Sequence, residues 1–508
     1  MAMTSRKLSS EVYQYFLVLI VSLLLGGILI VDIAFKWKFV LIMGLGIVLL
    51  LLLTNPKQAL LFLIGATVPI LLSKAVVIVS NNNNCCEMTG IGIKQTDVIA
   101  IAMLIFFLVP KAMEKTKIRF FQSITLPAMA WILVSALSLI AAQNLLAAIA
   151  MLIFMFQQFV IYLIIANCIN TKRDMEWIMG GIILGVSFES LLGIYQMIVG
   201  HPAGLYFLGE TDYVHQQIMG QIAANRVQGT LGHPNSFSIY VLTGLPFLLA
   251  WIFISKKISV KLICGAIFCM GAISLIFSLS RSSWIGFLVI SLMGLMAAVY
   301  KKRIRTRYAV LLFLLAILVM GGVVFFGPDI ILLRLTSSDQ GSAYGRITLA
   351  QTAIKMIMDH PLLGVGINNY IVAMHHYDPY DFTVIGPTLV HDVYLLITAE
   401  TGLLGGITFI LFLAAVLLNC WKIFVRSKED TLVVLSIGLF SAIIAIAIHG
   451  LVDYDLIGDG RITTQFWLLI AMVAAIVQYQ KQDIQHASYA SNTMKYDLRL
   501  SEKVIHSK

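Results

Sequence analysis

The chain has 508 residues, of which 59% are hydrophobic and only 12% charged. Soluble domains carry about twice that charged share, and a mean hydropathy of +0.92 also excludes a water-soluble globule. A net charge of +10 raises nucleic acid as a partner, and the placement of the charges answers that question below.

Apolar runs able to cross a hydrocarbon core of about 30 Å recur along the chain. In order they cover 13–33, 37–54, 59–79, 96–110, 124–142, 145–167, 176–198, 236–254, 260–280, 283–300, 308–326, 402–421, 431–451 and 462–480. The first lacks the cleavage site of a signal peptide and is followed by many others, so it is expected to remain as a span. The fourth is short, and the fifth and sixth are tightly joined. The expectation is therefore an all-α polytopic membrane bundle of about 12–14 transmembrane helices. With the N-terminus inside, 25 of the 35 Lys and Arg fall in loops on that side, the excess that marks a cytoplasmic face. Both termini are then cytoplasmic. The surplus charge faces anionic lipid headgroups, and no nucleic acid is needed to explain it. The six cysteines form neither a disulfide framework nor a CxxC metal site.

Two outer loops are long, 199–234 and 327–401, and long loops in compact proteins are usually functional or disordered. Neither is low in complexity. Within the second, 346–359 reads as an amphipathic helix lying on the outer membrane surface. Ile347, Ala350, Ile354 and Ile357 form its apolar face, and Thr348, Thr352, Lys355 and Asp359 its polar face.

Eight of the ten histidines map to outer loops or outer helix ends. The outer arginines are few and run against the positive-inside bias. Arg226 precedes Gly232-His233-Pro234-Asn235, Arg281 sits in a tight turn between two apolar helices, and Arg346 opens the amphipathic helix. Arginine so near hydrocarbon is costly, and its fork of donors suits phosphate; snorkelling or carboxylate pairing is the competing reading. His391 starts a helix at the outer interface. It is a candidate general base, although position alone favours a plain helix-start residue with Asp392 complementing the dipole. Asp453 and Asp455 have a spacing that suits a divalent cation, but loop capping or pairing with Arg461 weighs more. Glu189, in the middle of a span, is the main feature favouring a transporter or flippase of lipid-linked sugars.

Taken together, these motifs resemble the O-antigen ligase and polysaccharide polymerase superfamily of bacterial integral membrane proteins. The resemblance rests on Arg226 through Asn235, Ser280-Arg281-Ser282-Ser283-Trp284, Tyr344-Gly345-Arg346, His360-Pro361-Leu362-Leu363-Gly364-Val365-Gly366, His391 through Gly405, and His449 through Asp455. It covers roughly 180–460, while the first 170 residues match only as generic spans. It implies N-terminal helices over 1–175, a catalytic transmembrane domain over 176–480 and a cytoplasmic tail over 481–508. The implied fold is of the lipid-dependent glycosyltransferase type, in the bacterial cytoplasmic membrane. The implied reaction moves a glycan from undecaprenyl pyrophosphate, on the outer face, to a glycan or lipid-glycan acceptor, with inversion and with no cofactor or metal. Arg226 and Arg281 are implied to hold the pyrophosphate and His391 to act as base. Arg346, His233, Asn235, Asp392, Tyr394, Glu400 and Asp453 are the implied substrate-binding set. The family usually has Asn where this chain has Asp392, which makes Asp392 a candidate orienting partner for His391. A ligase and a polymerase share these motifs, so the resemblance leaves the two open.

Overall fold

A computed structural model describes residues 44, 46, 54–78, 90–114, 118–211, 216–219, 222–302, 305–308, 310, 311, 314, 340–377, 388–458 and 460–505, with side chains of the last helix described to 482. Ten described helices are long and apolar enough to cross a membrane. They are α2 (Gln95–Met113), α3 (Gln122–Ala141), α4 (Leu145–Cys168), α5 (Lys172–Val199), α6 (Pro234–Ile254), α7 (Ile258–Phe277), α8 (Arg281–Tyr300), α11 (Val393–Arg426), α12 (Asp430–His449) and the first half of α14 (Gly460–Ile505). The shorter helices are α1 (Pro56–Thr67), α9 (Gln340–Asp359), α10 (Tyr370–Tyr377) and α13 (Asp455–Gly458). Two antiparallel hairpins complete the described elements, β1 (Ser73–Ile78) with β2 (Gly90–Lys94), and β3 (Gln216–Met219) with β4 (Ile222–Asn225).

Three expected spans, 13–33, 37–54 and 308–326, lie outside the described residues apart from 44, 46, 54, 308, 310, 311 and 314. The span expected over 59–79 is helical only to Thr67; beyond it the chain runs on along α5, with Ile70 against Leu192 and Leu71 in the wall of the cavity described below, before β1 begins at Ser73.

Local chemistry fixes the helix ends. Asn55 caps α1, with Pro56 in its first turn. Thr171 and Asp174 form a capping box on α5, and Lys57 pairs with Asp174 at 2.7 Å. Gly200, in the left-handed region, ends α5. The spanning helices alternate in direction from α2 to α8 and again from α11 to α14, and sort their polar groups to two ends. At one end Lys57 meets Asp174, Lys172 meets Glu429, and Lys301 donates to the Ser427 carbonyl. The starts of α6, α8, α11 and α14 and the ends of α7 and α12 gather at the other.

Helix α14 is the hub. Every residue from Phe466 to Ile476 is buried, as expected of a helix apolar on all sides. Trp467 packs against Phe412 and Tyr162, and Phe412 stacks on Trp131.

Helix α11 is longer than the expected 402–421 and is broken at Gly402, where φ is 71° and ψ is −179°. Backbone groups freed inside a membrane must find other partners. Here the 361–366 loop supplies them. Val365 and Gly366 donate to the carbonyls of Ala399 and Glu400, and Leu403 donates to Pro361, all at 2.8–2.9 Å. A Cβ on residue 402 would lie 2.2 Å from the Leu362 oxygen. The backbone region alone costs a side-chain-bearing residue about 1–3 kcal/mol. Gly402→Ala should therefore lower the thermal unfolding midpoint in detergent clearly more than Gly294→Ala, where the added Cβ meets nothing within 4 Å.

The α9 helix forms. Leu349, Thr352, Ala353 and Met356 are buried against Tyr370, Met374 and Leu396, so Thr352 lies inside rather than on a polar face. Of the face expected toward the membrane, Ala350 and Ile357 pack against this cluster, while Ile347 and Ile354 are 58% and 46% exposed. Both faces of this helix carry apolar residues, so periodicity did not single out the packed one.

Candidate active site

At the end of the bundle away from the Lys-rich turns, a cavity of about 480 Å³ opens between the loops. Its walls carry four basic side chains, Lys94, His233, His391 and Arg461, and two carboxylates, Asp453 and Asp455. His391 stands one residue before the cap of α11. Its ring lies 5.3 Å from that of Tyr454. Its Nδ1 is 4.0 Å from Asp453 Oδ1, beyond hydrogen-bond range. That nitrogen is buried and makes no hydrogen bond to a described residue. Burial holds the imidazole below its ordinary pKa. The Asp453 carboxylate opposes that shift, and the Arg346 charge adds to it.

Asp453 is the hub of the polar network. Burial pushes its carboxyl up, but the imidazoles of His449, His391 and His233, with the Asn235 amide, outweigh that and hold it below the usual value. Asn235 donates its side-chain amide to Asp453 and accepts from an Arg226 Nη at 2.9 Å. Arg226 Nε donates to the Ser278 carbonyl at 2.8 Å. A second chain runs beside the first. Ser282 bonds His449 Nδ1, His449 Nε2 bonds Asp455 at 3.1 Å, and Ser236 donates to Asp455 at 3.0 Å.

Of the residues expected from sequence, His391, His233 and Asp453 line the cavity together. Asn235 and Arg226 stand behind them, with Arg226 only 9% exposed and held by protein acceptors. Arg281 is exposed at the start of α8, next to Ser282. It follows Leu279, whose φ of 54° makes the tight turn. Arg346 is exposed on α9, near enough to His391 to act on its charge.

Four further expected residues are engaged within the protein. The Asp392 carboxylate caps α11, accepting from the N–H groups of Tyr394 and Leu395 at 2.8 and 2.9 Å. The carboxylate that faces His391 is therefore Asp453. Tyr394 donates its hydroxyl to the Ala447 carbonyl, and buried Glu400 accepts from the Tyr370 N–H. Both are placed as ties between segments. Glu189 accepts from the N–H and hydroxyl of Thr230, so the carboxylate that favoured transport anchors the loop bearing Arg226. Arg461 donates to the Thr230 and Leu231 carbonyls at 2.7 and 2.6 Å. Its contribution to the cavity, and that of Lys94, was missed. Both are outer cations against the loop bias, the same signal that singled out Arg281.

His449, Asp453 and Asp455 each offer one donor atom within 4.8 Å of the others, a grouping able to hold a cation. Protein partners already engage these donors: both His449 nitrogens are bonded, and Asp453 accepts from Asn235 and from the Tyr454 N–H. A metal here would have to displace them.

No curated protein matches the chain. A family model described as O-antigen ligase matches residues 265–410, a stretch from α7 to the helix beyond the Gly402 break that carries Arg281, Arg346 and His391. Over that stretch the chain is similar to the O-antigen ligase family, within a multi-pass membrane protein of ten described apolar helices.

Proposed function

We propose that the enzyme transfers glycan from undecaprenyl pyrophosphate to an acceptor hydroxyl within the cavity at His391, on the outer face of the cytoplasmic membrane. The single observation that carries this is a buried imidazole nitrogen facing a carboxylate inside a cation-lined cavity. His391 Nδ1 faces Asp453, which leaves Nε2 for the acceptor. The acceptor oxygen attacks the anomeric carbon and its proton passes to His391. The bond from that carbon to pyrophosphate breaks, and its electron pair leaves with the phosphate. Direct attack inverts the centre. The site's main electrostatic task is to stabilise the departing charge. Arg346, close enough to act on His391, and Lys94 and Arg461 in the wall provide the positive field, with Arg281 at the head of α8 beside the Ser282 that bonds His449. Arg226 acts through Asn235 and is a positioning residue. The loop charges support the outer-face placement, because the Lys-rich turns lie at the opposite end.

Supplying a lipid-linked glycan to detergent-solubilised protein tests the reading. A transferase makes lengthened or transferred glycan, whereas a flippase makes no product without two compartments. Glu189→Gln should keep transfer within a few-fold of the parent, since the amide oxygen still accepts from Thr230. Loss of all product in a folded Glu189→Gln protein would count against a purely anchoring role for that residue.

A further inference from the structure

A second, larger cavity of about 990 Å³ lies at the opposite, basic end of the bundle, among α6, α7, α8, α11 and α12. We propose that it is a binding site for an anionic glycerophospholipid of the adjacent leaflet, a role separate from glycan transfer.

Its deep walls are apolar, with Phe253, Phe268, Phe287 and Ile290 among them. Small residues on facing helices, including Gly294 and Gly438, create the depth. A void of this size would forfeit dispersion contacts along its whole lining, and within a bilayer a lipid chain can fill it. The mouth is different in character. Lys256, Lys261 and Lys301 stand there with a single carboxylate, Asp430. Helices α7 and α12 both begin at this mouth, and neither has a side-chain hydrogen bond capping its first turn. Helix starts favour anions. Apolar walls below a cationic rim match acyl chains below a phosphate, and basic pockets between spanning helices are a known lipid-binding arrangement. Lys301 is partly committed to the Ser427 carbonyl and to the Phe424 ring, so Lys256 and Lys261 carry the discriminating charge.

The test is native mass spectrometry of the full chain, in detergent, against mixed phosphatidylglycerol and phosphatidylcholine. The parent protein should retain phosphatidylglycerol selectively. The Lys256→Gln/Lys261→Gln pair should lose that retention on the order of tenfold. The Lys422→Gln/Lys428→Gln pair removes equal charge from the same end without touching the cavity, and should stay within about twofold. Gly294→Leu places a side chain where an added Cβ meets nothing within 4 Å, and should lose retention with no change of charge. Equal retention of the two lipids would overturn the proposal, and so would equal loss in both lysine pairs. Complete displacement of phosphatidylglycerol by added polyprenyl phosphate would also overturn it, by assigning the cavity to the carrier.

Discussion

His391→Gln is expected to slow glycan transfer by roughly 10²–10⁴-fold, the usual contribution of a positioned acid or base. The loss should appear in kcat and in kcat/KM alike, because the imidazole takes its proton only as the acceptor attacks. A pH profile separates this role from a structural one. Only the neutral ring can accept a proton, and burial, with the Arg346 charge, holds the His391 pKa below its ordinary value. Activity should therefore stay on its plateau as pH falls to the ordinary imidazole range near 6.5 and decline only below it. Asp453 opposes that shift, so Asp453→Asn should move the acid limb lower still. An acid limb that stays unmoved in Asp453→Asn would remove Asp453 as the group facing the base.

The second large effect is expected at Arg281. Arg281→Ala should cost on the order of 10²–10³ in rate, by analogy with removal of one donor from a developing oxyanion. The side chain is exposed at the head of α8, so the thermal unfolding midpoint should barely change. Arg281→Lys should recover only part of the rate, because an ammonium keeps the charge but lacks the fork that grips two phosphate oxygens. A steady-state assay on purified protein reads both variants. Normal transfer by Arg281→Ala would remove this residue from phosphate binding and leave that task to Lys94, Arg346 and Arg461.

Much of the bundle was legible because a span declares itself locally, by eighteen or more apolar residues and by lysines at one end. The end of helix α1 was not, since an apolar run looks the same where it leaves the helix at Thr67 and goes on as extended chain. The protein-facing side of α9 was not legible, because Ile354 and Met356 are equally apolar and only contact with Tyr370 and Leu396 decides which is buried. In the site, Arg281 was singled out by its charge against the loop bias, whereas His391 was singled out by the resemblance, its position alone favouring a helix-start residue. The partnership of His391 with Asp453 was hidden, because it joins the start of α11 to the loop after α12. The adjacent Asp392 offered a simpler answer, and the helix start claimed that carboxylate first.

Gly402 divides the crossing that carries His391 into two pieces with separate mountings. The lipid-embedded piece is secured by its neighbours in the bundle, and the short outer piece is pinned to the 361–366 strap. The two can therefore diverge independently. On the proposed role of His391, changes in the strap would re-aim the imidazole toward a different acceptor while the anchoring piece stays as it is, a modular route to new specificity on an unchanged chassis.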